Sequence, residues 1–249
     1  MSGEPWFQVG ELAGPGRVVL DGPEGRHAAT VRRLRVGEPL VLTDGRGSWA
    51  PGTVTAAGRA ELTVEVALVR QRPMPQPRVV LVQALPKGER GDLAVELATE
   101  AGVDVVVPWQ ARNCVSRWTG DKAVRGAAKW QVTAREAAKQ SRRPWVPEVR
   151  PLADLAAVID LIGAAAGALV LHELGETPLG VVALAAEGDL VLIVGPEGGI
   201  DPDELVALRG AGATAVRLGP QVLRTSTAAA VALGALGVLT TRWDRPDPA

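Results

Sequence analysis

Val194-Gly195-Pro196-Glu197-Gly198-Gly199-Ile200 and, a short way downstream, Leu218-Gly219-Pro220-Gln221-Val222-Leu223-Arg224-Thr225-Ser226-Thr227 decide how this chain folds. Each follows an apolar run of strand character, Leu190 to Val194 and Ala215 to Leu218, and each leads into a helix-like stretch. Pro fixes φ and Gly permits positive φ, so both turns can be tight and admit a ligand close to the main chain. Two such exits at the C-terminal edge of one sheet form a backbone-lined pocket, the usual ligand position of open α/β sheets.

Working outward, strands alternate with helices. Val79 to Gln83 reads as a buried strand. Arg90 to Ala101 reads as a helix with Leu93, Leu97 and Ala101 on one face, ended by Gly102. Val103 to Val107 is a strand stopped by Pro108, and Ala127 to Ser141 a helix with a strongly polar face. Ala153 to Ala166 is an apolar helix before the strand Ala168 to Leu171. Asp201-Pro202-Asp203-Glu204 supplies an N-cap, a Pro at N1 and an acid at N3. The last helix, Ser226 to Thr241, is rich in Ala and Gly and can pack closely. This alternation predicts a mostly parallel sheet covered on both faces.

The N-terminal part has a different texture. Arg17 to Leu20, Pro39 to Thr43, Trp49 to Ala56 and Glu61 to Leu68 read as short strands, with one helix-like stretch from Arg26 to Arg33. That pattern predicts a small β-barrel. Arg70 to Pro77 carries prolines at 73, 75 and 77 and reads as a stiff linker. The boundary therefore falls at 72/73, giving domains 1–72 and 73–249.

Composition narrows the class. With 47% hydrophobic and 22% charged residues the chain reads as soluble and globular. No window reaches a membrane span, and the start MSGEPWFQVGE lacks the basic and apolar regions of a secretory signal. The single cysteine, Cys114, suits a reducing cytoplasm. The two histidines, His27 and His172, lie far from it in sequence, so no metal is expected. The formal net charge of −1 averages over an uneven chain. Arg112 to Arg150 holds ten Lys/Arg against three Asp/Glu, and Pro151 to Gly210 one Arg against ten acids. A basic block is ordinarily a solvated face. This one also carries Trp118, Trp130 and Trp145, which points to an anionic, base-containing partner.

The Gly-rich turns match neither a P-loop nor the G-x-G-x-x-G dinucleotide fingerprint. The hydroxyl run Thr225-Ser226-Thr227 reads most economically as an N-cap cluster. Arg224, just ahead of a helix N-terminus, adds charge where backbone N–H groups already favour an anion. Glu197 either binds a ligand or favours the following helix electrostatically; the sequence leaves both open.

Taken together, Gly195-Pro196-Glu197-Gly198-Gly199, Leu218-Gly219-Pro220 and Leu223-Arg224-Thr225 resemble the motifs of the SPOUT-class RNA methyltransferases of the RsmE type. So do Lys87-Gly88-Glu89-Arg90, Ala98 to Val103, Val107-Pro108, Lys129-Trp130, Glu136 to Ser141 and Val146-Pro147. At the N-terminus, His27, Val31 to Leu34 and Gly37 resemble the family's RNA-binding barrel. The chain departs at Ser226, where the family often has Glu, so no carboxylate is offered there.

The resemblance implies an α/β fold: a PUA-like β-barrel, then a SPOUT domain whose C-terminal chain forms a trefoil knot, paired as a homodimer. It implies S-adenosyl-L-methionine as cofactor, and N3 of a uridine in 16S ribosomal RNA, naked or in the assembled small subunit, as acceptor. It assigns Leu171, His172, Gly195, Glu197, Gly199, Leu218, Gly219, Leu223, Arg224 and Thr225 to the cofactor; the chemistry of Arg224 adds an expected catalytic role, stabilising the electron-rich base or positioning a phosphate. His27, Arg32, Arg33 and Arg35 would bind RNA on the barrel, and Arg112, Arg117, Arg142 and Arg143 on the catalytic domain. Trp118 or Trp145 would stack on a base or simply cover an edge. Two rivals follow: a related enzyme with another RNA target, and a non-catalytic assembly factor on the same fold.

Overall fold

A computed structural model describes residues 3–244; the outermost residues of the expected domains, 1–2 and 245–249, lie outside the described residues. The chain divides into two compact units. The first comprises residues up to Met74 together with Ala138–Val146, and the second comprises Pro75–Ala137 and the chain from Pro147 onward.

The first unit contains β1 (Trp6–Gln8), β2 (Gly16–Leu20), a short helix α1 (Gly22–Arg26), β3 (Pro39–Thr43), β4 (Ser48–Ala57), β5 (Leu62–Val66) and β6 (Arg70–Gln71). The strands follow the order β1-β3-β4-β5-β2, with β6 paired to the start of β4. Among the described residues no ladder joins β1 to β2, so the sheet order is open. Its core is apolar: Phe7, Leu20, Leu40, Leu42, Val54, Leu62 and Val64 are buried.

Two elements here differ from expectation. The helix expected over Arg26 to Arg33 is α1 followed by a π-turn, His27–Val31. Pro23 near its start and Gly22 at φ +58 place the helix earlier. The linker begins as strand, because Arg70 and Gln71 pair with Trp49 and Ser48. Ala138–Val146 groups with this unit for local reasons. Arg46 and Trp145 form a bridge, the Trp145 indole N–H donates to the Arg72 carbonyl at 2.9 Å, and Gly47 leaves room for that ring. Lys139, 8% exposed, pairs with Glu24 at 2.6 Å. Arg142 and Arg143 accordingly lie on the N-terminal unit and not on the catalytic one.

The second unit carries β7 (Arg78–Ala84), α2 (Arg90–Glu100), β8 (Val105–Trp109), α3 (Asp121–Gln140, whose last residues count with the first unit), β9 (Glu148–Val149), α4 (Leu155–Ala164) and β10 (Gly167–Leu171). There follow β11 (Thr177–Pro178), β12 (Asp189–Val194), α5 (Pro202–Gly210), β13 (Thr214–Arg217) and α6 (Thr225–Leu239). The sheet is entirely parallel in the order β11-β13-β10-β12-β7-β8-β9. Leu190 to Val194 and Val79 to Val82 are all buried, as continuous apolar strands covered on both faces should be. Helix α2 packs on α6, and α4 on α5.

Strand β8 does not stop at Pro108 but runs through it. The Pro108 carbonyl accepts from Ala153 N–H at 2.8 Å, on the side away from β7, while the Trp109 carbonyl accepts from Leu85 N–H. The missing proline N–H therefore costs no β7–β8 bond. The end of α6 is closed by a short turn, Thr241–Trp243. Arg242 reaches Asp104, fully buried, at 2.8 Å, and Gly234 and Gly237 leave room for the Trp243 ring.

Candidate functional site

Across the sheet, Val216, Leu171, Val194 and Gln83 stand in one row of the register. The chain thus leaves β13, β10 and β12 at the same level, and the three exits share a cavity of about 520 Å³. All ten residues assigned to a cofactor from the sequence line it: Leu171, His172, Gly195, Glu197, Gly199, Leu218, Gly219, Leu223, Arg224 and Thr225. Val194, Ile200, Val216 and Ala228 add apolar surface, and Glu173 and Arg217 add charge. Ligand cavities commonly have this size and this mixture of apolar wall with a few polar groups.

Of the lining glycines, Gly199 is demanded by its backbone conformation, while Gly219 simply leaves space. Gly199 has φ +76 and faces open space, and a side chain at Gly219 would meet only Gln221 Oε1, at 3.6 Å. Both therefore leave room that any other residue would begin to fill. Gly195 is confined by its own turn, since a Cβ there would stand 2.6 Å from Ile200 Cγ1.

The turn from Gly195 to Ile200 is held by side chains. Glu197 Oε1 accepts from Lys87 N–H at 3.1 Å and pairs with Arg90 at 3.4 Å. Its carboxylate is thus engaged with the Lys87-to-Arg90 motif while its residue lines the cavity. Asn113 donates to the Gly199 carbonyl at 3.3 Å. Asp201 caps α5 by accepting from Asp203 N–H, as the sequence predicts. Glu204, the expected N3 acid, is 4% exposed and accepts from Arg112 N–H at 2.9 Å.

Arg112 itself is spoken for. Its guanidinium contacts Asp201 at 2.6 Å and Asp203 at 3.1 Å, and hydrogen bonds to Asp203 and then Asp201 hold its pKa above the usual value. Two carboxylates thus compete with any phosphate for this guanidinium. Arg117 donates to the Arg112 carbonyl at 2.8 Å. Cys114, in the same segment, is buried, and burial pushes its thiol pKa up.

The start of α6 differs from the expected N-cap cluster. Arg224 occupies the N-cap without a side-chain cap, and Thr225 and Ser226 lie inside the helix, both buried. The Thr225 hydroxyl donates to the Gly195 carbonyl at 2.7 Å and receives a hydrogen bond from Gln83 Nε2 at 3.0 Å. Sequence reading missed Gln83; a lone amide in the otherwise apolar strand Val79 to Ala84 was the available signal. The Arg224 guanidinium is exposed on the cavity lining and makes no hydrogen bond or ion pair among the described residues. His172 Nδ1 accepts from Leu174 N–H at 3.2 Å, which leaves the neutral ring's proton on Nε2. A neutral His172 is therefore a donor at Nε2 rather than a ready base.

On the first unit, Arg32, Arg33 and Arg35 are exposed; no ion pair joins their guanidinium groups to a carboxylate among the described residues, although the Arg35 backbone N–H donates to Glu38 at 2.9 Å. His27 is half-buried, edge-on to Phe7 at 5.8 Å. Of the basic-block tryptophans, Trp130 is buried and Trp118 packs edge-on against it at 5.1 Å. Trp145 is anchored at Arg72, so both stacking candidates have structural duties. Among the described residues no helix is long and apolar enough to cross a membrane, and no group of three His, Cys, Asp or Glu could hold a metal.

Residues 72–237 match the model of an RNA methyltransferase domain, and residues 20–67 that of an RNA methyltransferase PUA domain. The chain is 52% identical to ribosomal RNA small subunit methyltransferase E of Mycobacterium tuberculosis, over 96% of this chain and 93% of that one. With the protein of the same name from Bacillus subtilis it is 27% identical over 89% of this chain and 90% of the other. The structure superposes on the Neisseria gonorrhoeae small subunit methyltransferase E bound to S-adenosyl methionine with a TM-score of 0.86 and 28% identity, covering 96% and 98% of the two chains. A Legionella pneumophila methyltransferase in complex with the same cofactor gives 0.86 and 26%, covering 95% and 98%. This chain belongs to the RNA methyltransferase family that includes ribosomal RNA small subunit methyltransferase E.

Proposed function

We propose that this protein transfers a methyl group from S-adenosyl methionine to N3 of a uridine in 16S ribosomal RNA. The observation that carries the reading is the cavity at the ends of β10, β12 and β13, whose lining holds all ten residues assigned to the cofactor. Its glycine-lined walls, apolar surface, and acidic and basic groups suit a zwitterionic nucleoside. The names of the relatives supply the acceptor class, and the motif resemblance supplies N3. The same resemblance supports a PUA-like barrel over residues 1–72, a SPOUT domain over 73–249 with a trefoil knot, a cytoplasmic setting and a homodimer.

When bound, S-adenosyl methionine supplies an electrophilic methyl on a sulfonium. Gly195, Glu197, Gly199, Leu218, Gly219, Leu223 and Thr225 would hold it, with Leu171 and His172 at the rim. The acceptor N3 carries a proton at neutral pH and must release it to solvent water to expose a lone pair. Arg224, unpaired on the lining, would stabilise the negative charge that develops on the uracil ring. His172, with its proton on Nε2, would donate toward a uracil oxygen instead of removing the N3 proton. Holding acceptor and methyl in line supplies the remainder. Arg32, Arg33 and Arg35 would position the RNA through its phosphates, with Arg142 and Arg143 on the same unit. His27, Arg117 and Arg112 contribute less, since each has a protein partner in place.

The test is transfer of labelled methyl groups from S-adenosyl methionine to unmodified small ribosomal subunits, followed by nucleoside mass analysis. N3-methyluridine is the expected product. Another methylated nucleoside would overturn the acceptor, and no incorporation despite cofactor binding would favour the assembly-factor reading.

A further inference from the structure

Gln83 is fully buried at the end of β7, beside the cavity and outside its lining. Its side-chain nitrogen donates to the Ala84 carbonyl at 3.1 Å and to Thr225 Oγ1 at 3.0 Å. The Ala84 carbonyl can only accept, so it fixes which end of the amide is the NH₂ group. Thr225 must then receive from Gln83, and its one hydroxyl proton goes to the Gly195 carbonyl at 2.7 Å. Two backbone oxygens, of Ala84 and Gly195, set the direction of the relay from its two ends.

Two consequences follow for the cavity. The relay joins β7, the turn after β12 and the first residue of α6, three segments far apart in sequence, with no exposed member to compete for water. And the Thr225 hydroxyl, on the cavity lining, has no proton left for a ligand; it can offer only a lone pair. We propose that Gln83 is a positioning residue that, through the Thr225 hydroxyl, fixes the Gly195 wall and leaves that hydroxyl acceptor-only toward the cavity. The group of the methyl donor seated against the Thr225 hydroxyl is therefore a hydrogen-bond donor or an apolar edge, not its carboxylate. This rests on the cavity being the cofactor site.

The test is calorimetric titration of the full chain with S-adenosyl methionine, alongside steady-state kinetics and melting temperatures. Gln83→Leu and Thr225→Val should each weaken binding about fivefold, the worth of one ordinary hydrogen bond, and raise KM with little change in kcat. The double variant should be no weaker than Thr225→Val alone, because both break one relay, and Thr225→Ser should recover most of the affinity. Decarboxylated S-adenosyl methionine should lose the same factor on Thr225→Val as the parent compound. Additive losses, or unchanged binding with a lowered melting temperature, would overturn the relay. A factor that depends on the ligand carboxylate would overturn the acceptor-only assignment. Should Gln83→Leu fail to fold, the Thr225→Val and Thr225→Ser pair decides the matter alone. Absence of binding by the unaltered chain would instead overturn the cofactor reading, and this proposal with it.

Discussion

The two turns that meet at the cavity are built differently. Gly195 to Ile200 is tied by Glu197 to Lys87 and Arg90, by Asn113 to the Gly199 carbonyl, and by the Thr225 hydroxyl to the Gly195 carbonyl. Leu218 to Leu223, on the opposite wall, is held by no hydrogen bond among the described residues, and Gln221 and Val222 are exposed. Both carry the same Gly-Pro signature. The first wall is fastened through side chains from distant segments, and the second follows only the ends of β13 and α6. A wall with few bonds and exposed side chains is the one expected to open and close.

Arg224 sits at the free wall's end, and its removal should have the largest effect. Arg224→Ala is expected to lower turnover on saturating substrates by about 10², the usual scale for losing one electrostatic stabiliser. Unchanged turnover would remove Arg224 from the chemistry. Next comes the first unit. Neutralising Arg32, Arg33 and Arg35 together should weaken RNA binding and flatten its salt dependence by about one unit of slope per lost phosphate contact. Cofactor affinity should stay as it was; an equal fall would contradict the assignment. Arg112→Ala, by contrast, should spare RNA affinity, since its charge is already met by Asp201 and Asp203.

Arg112→Ala also probes the fastened wall. Cys114 is shielded, and burial raises its pKa, so thiol reagents should label the folded chain slowly. Loosening the segment should speed labelling several-fold over the parent; equal rates would mean that the Arg112 ties do not hold it. The smallest effect is expected at the far end of β12, where Asp189 and Arg78 form a paired hydrogen bond at 2.7 Å. The hydrogen bond from Arg78 lowers the Asp189 pKa. Its contribution is complete above the unfolded-chain value of about 3.9 and is lost as pH falls through the lower folded value. Asp189→Asn should cost about 1 kcal/mol near neutral pH, a figure kept small by partial exposure, and progressively less in acid. A cost independent of pH would contradict the pairing.

Much of this was legible in the sequence, because local rules decided it. The strands at Pro39–Thr43 and Asp189–Val194 follow from apolar runs, and the start of α5 from Asp201-Pro202. The cavity residues were legible because the motif is contiguous on each turn. What stayed hidden depends on partners far along the chain. Gln83 means nothing until Thr225 stands beside it, and Arg112 reads as a free cation until α5 brings Asp201 and Asp203 to it. Trp145 reads as a stacking platform until Gly47 and Arg72 receive it. The Pro108 stop failed because a proline's missing donor matters only on the side where a neighbouring strand needs it.

The most direct measurement of the central claim is amide hydrogen exchange over both turns, with and without S-adenosyl methionine. Without the cofactor, Leu218 to Leu223 should exchange faster than Gly195 to Ile200. With it, both should slow, the free wall by the larger factor. Slowing confined to other parts of the chain, or none at saturating cofactor, would contradict the placement of the methyl donor between these two turns.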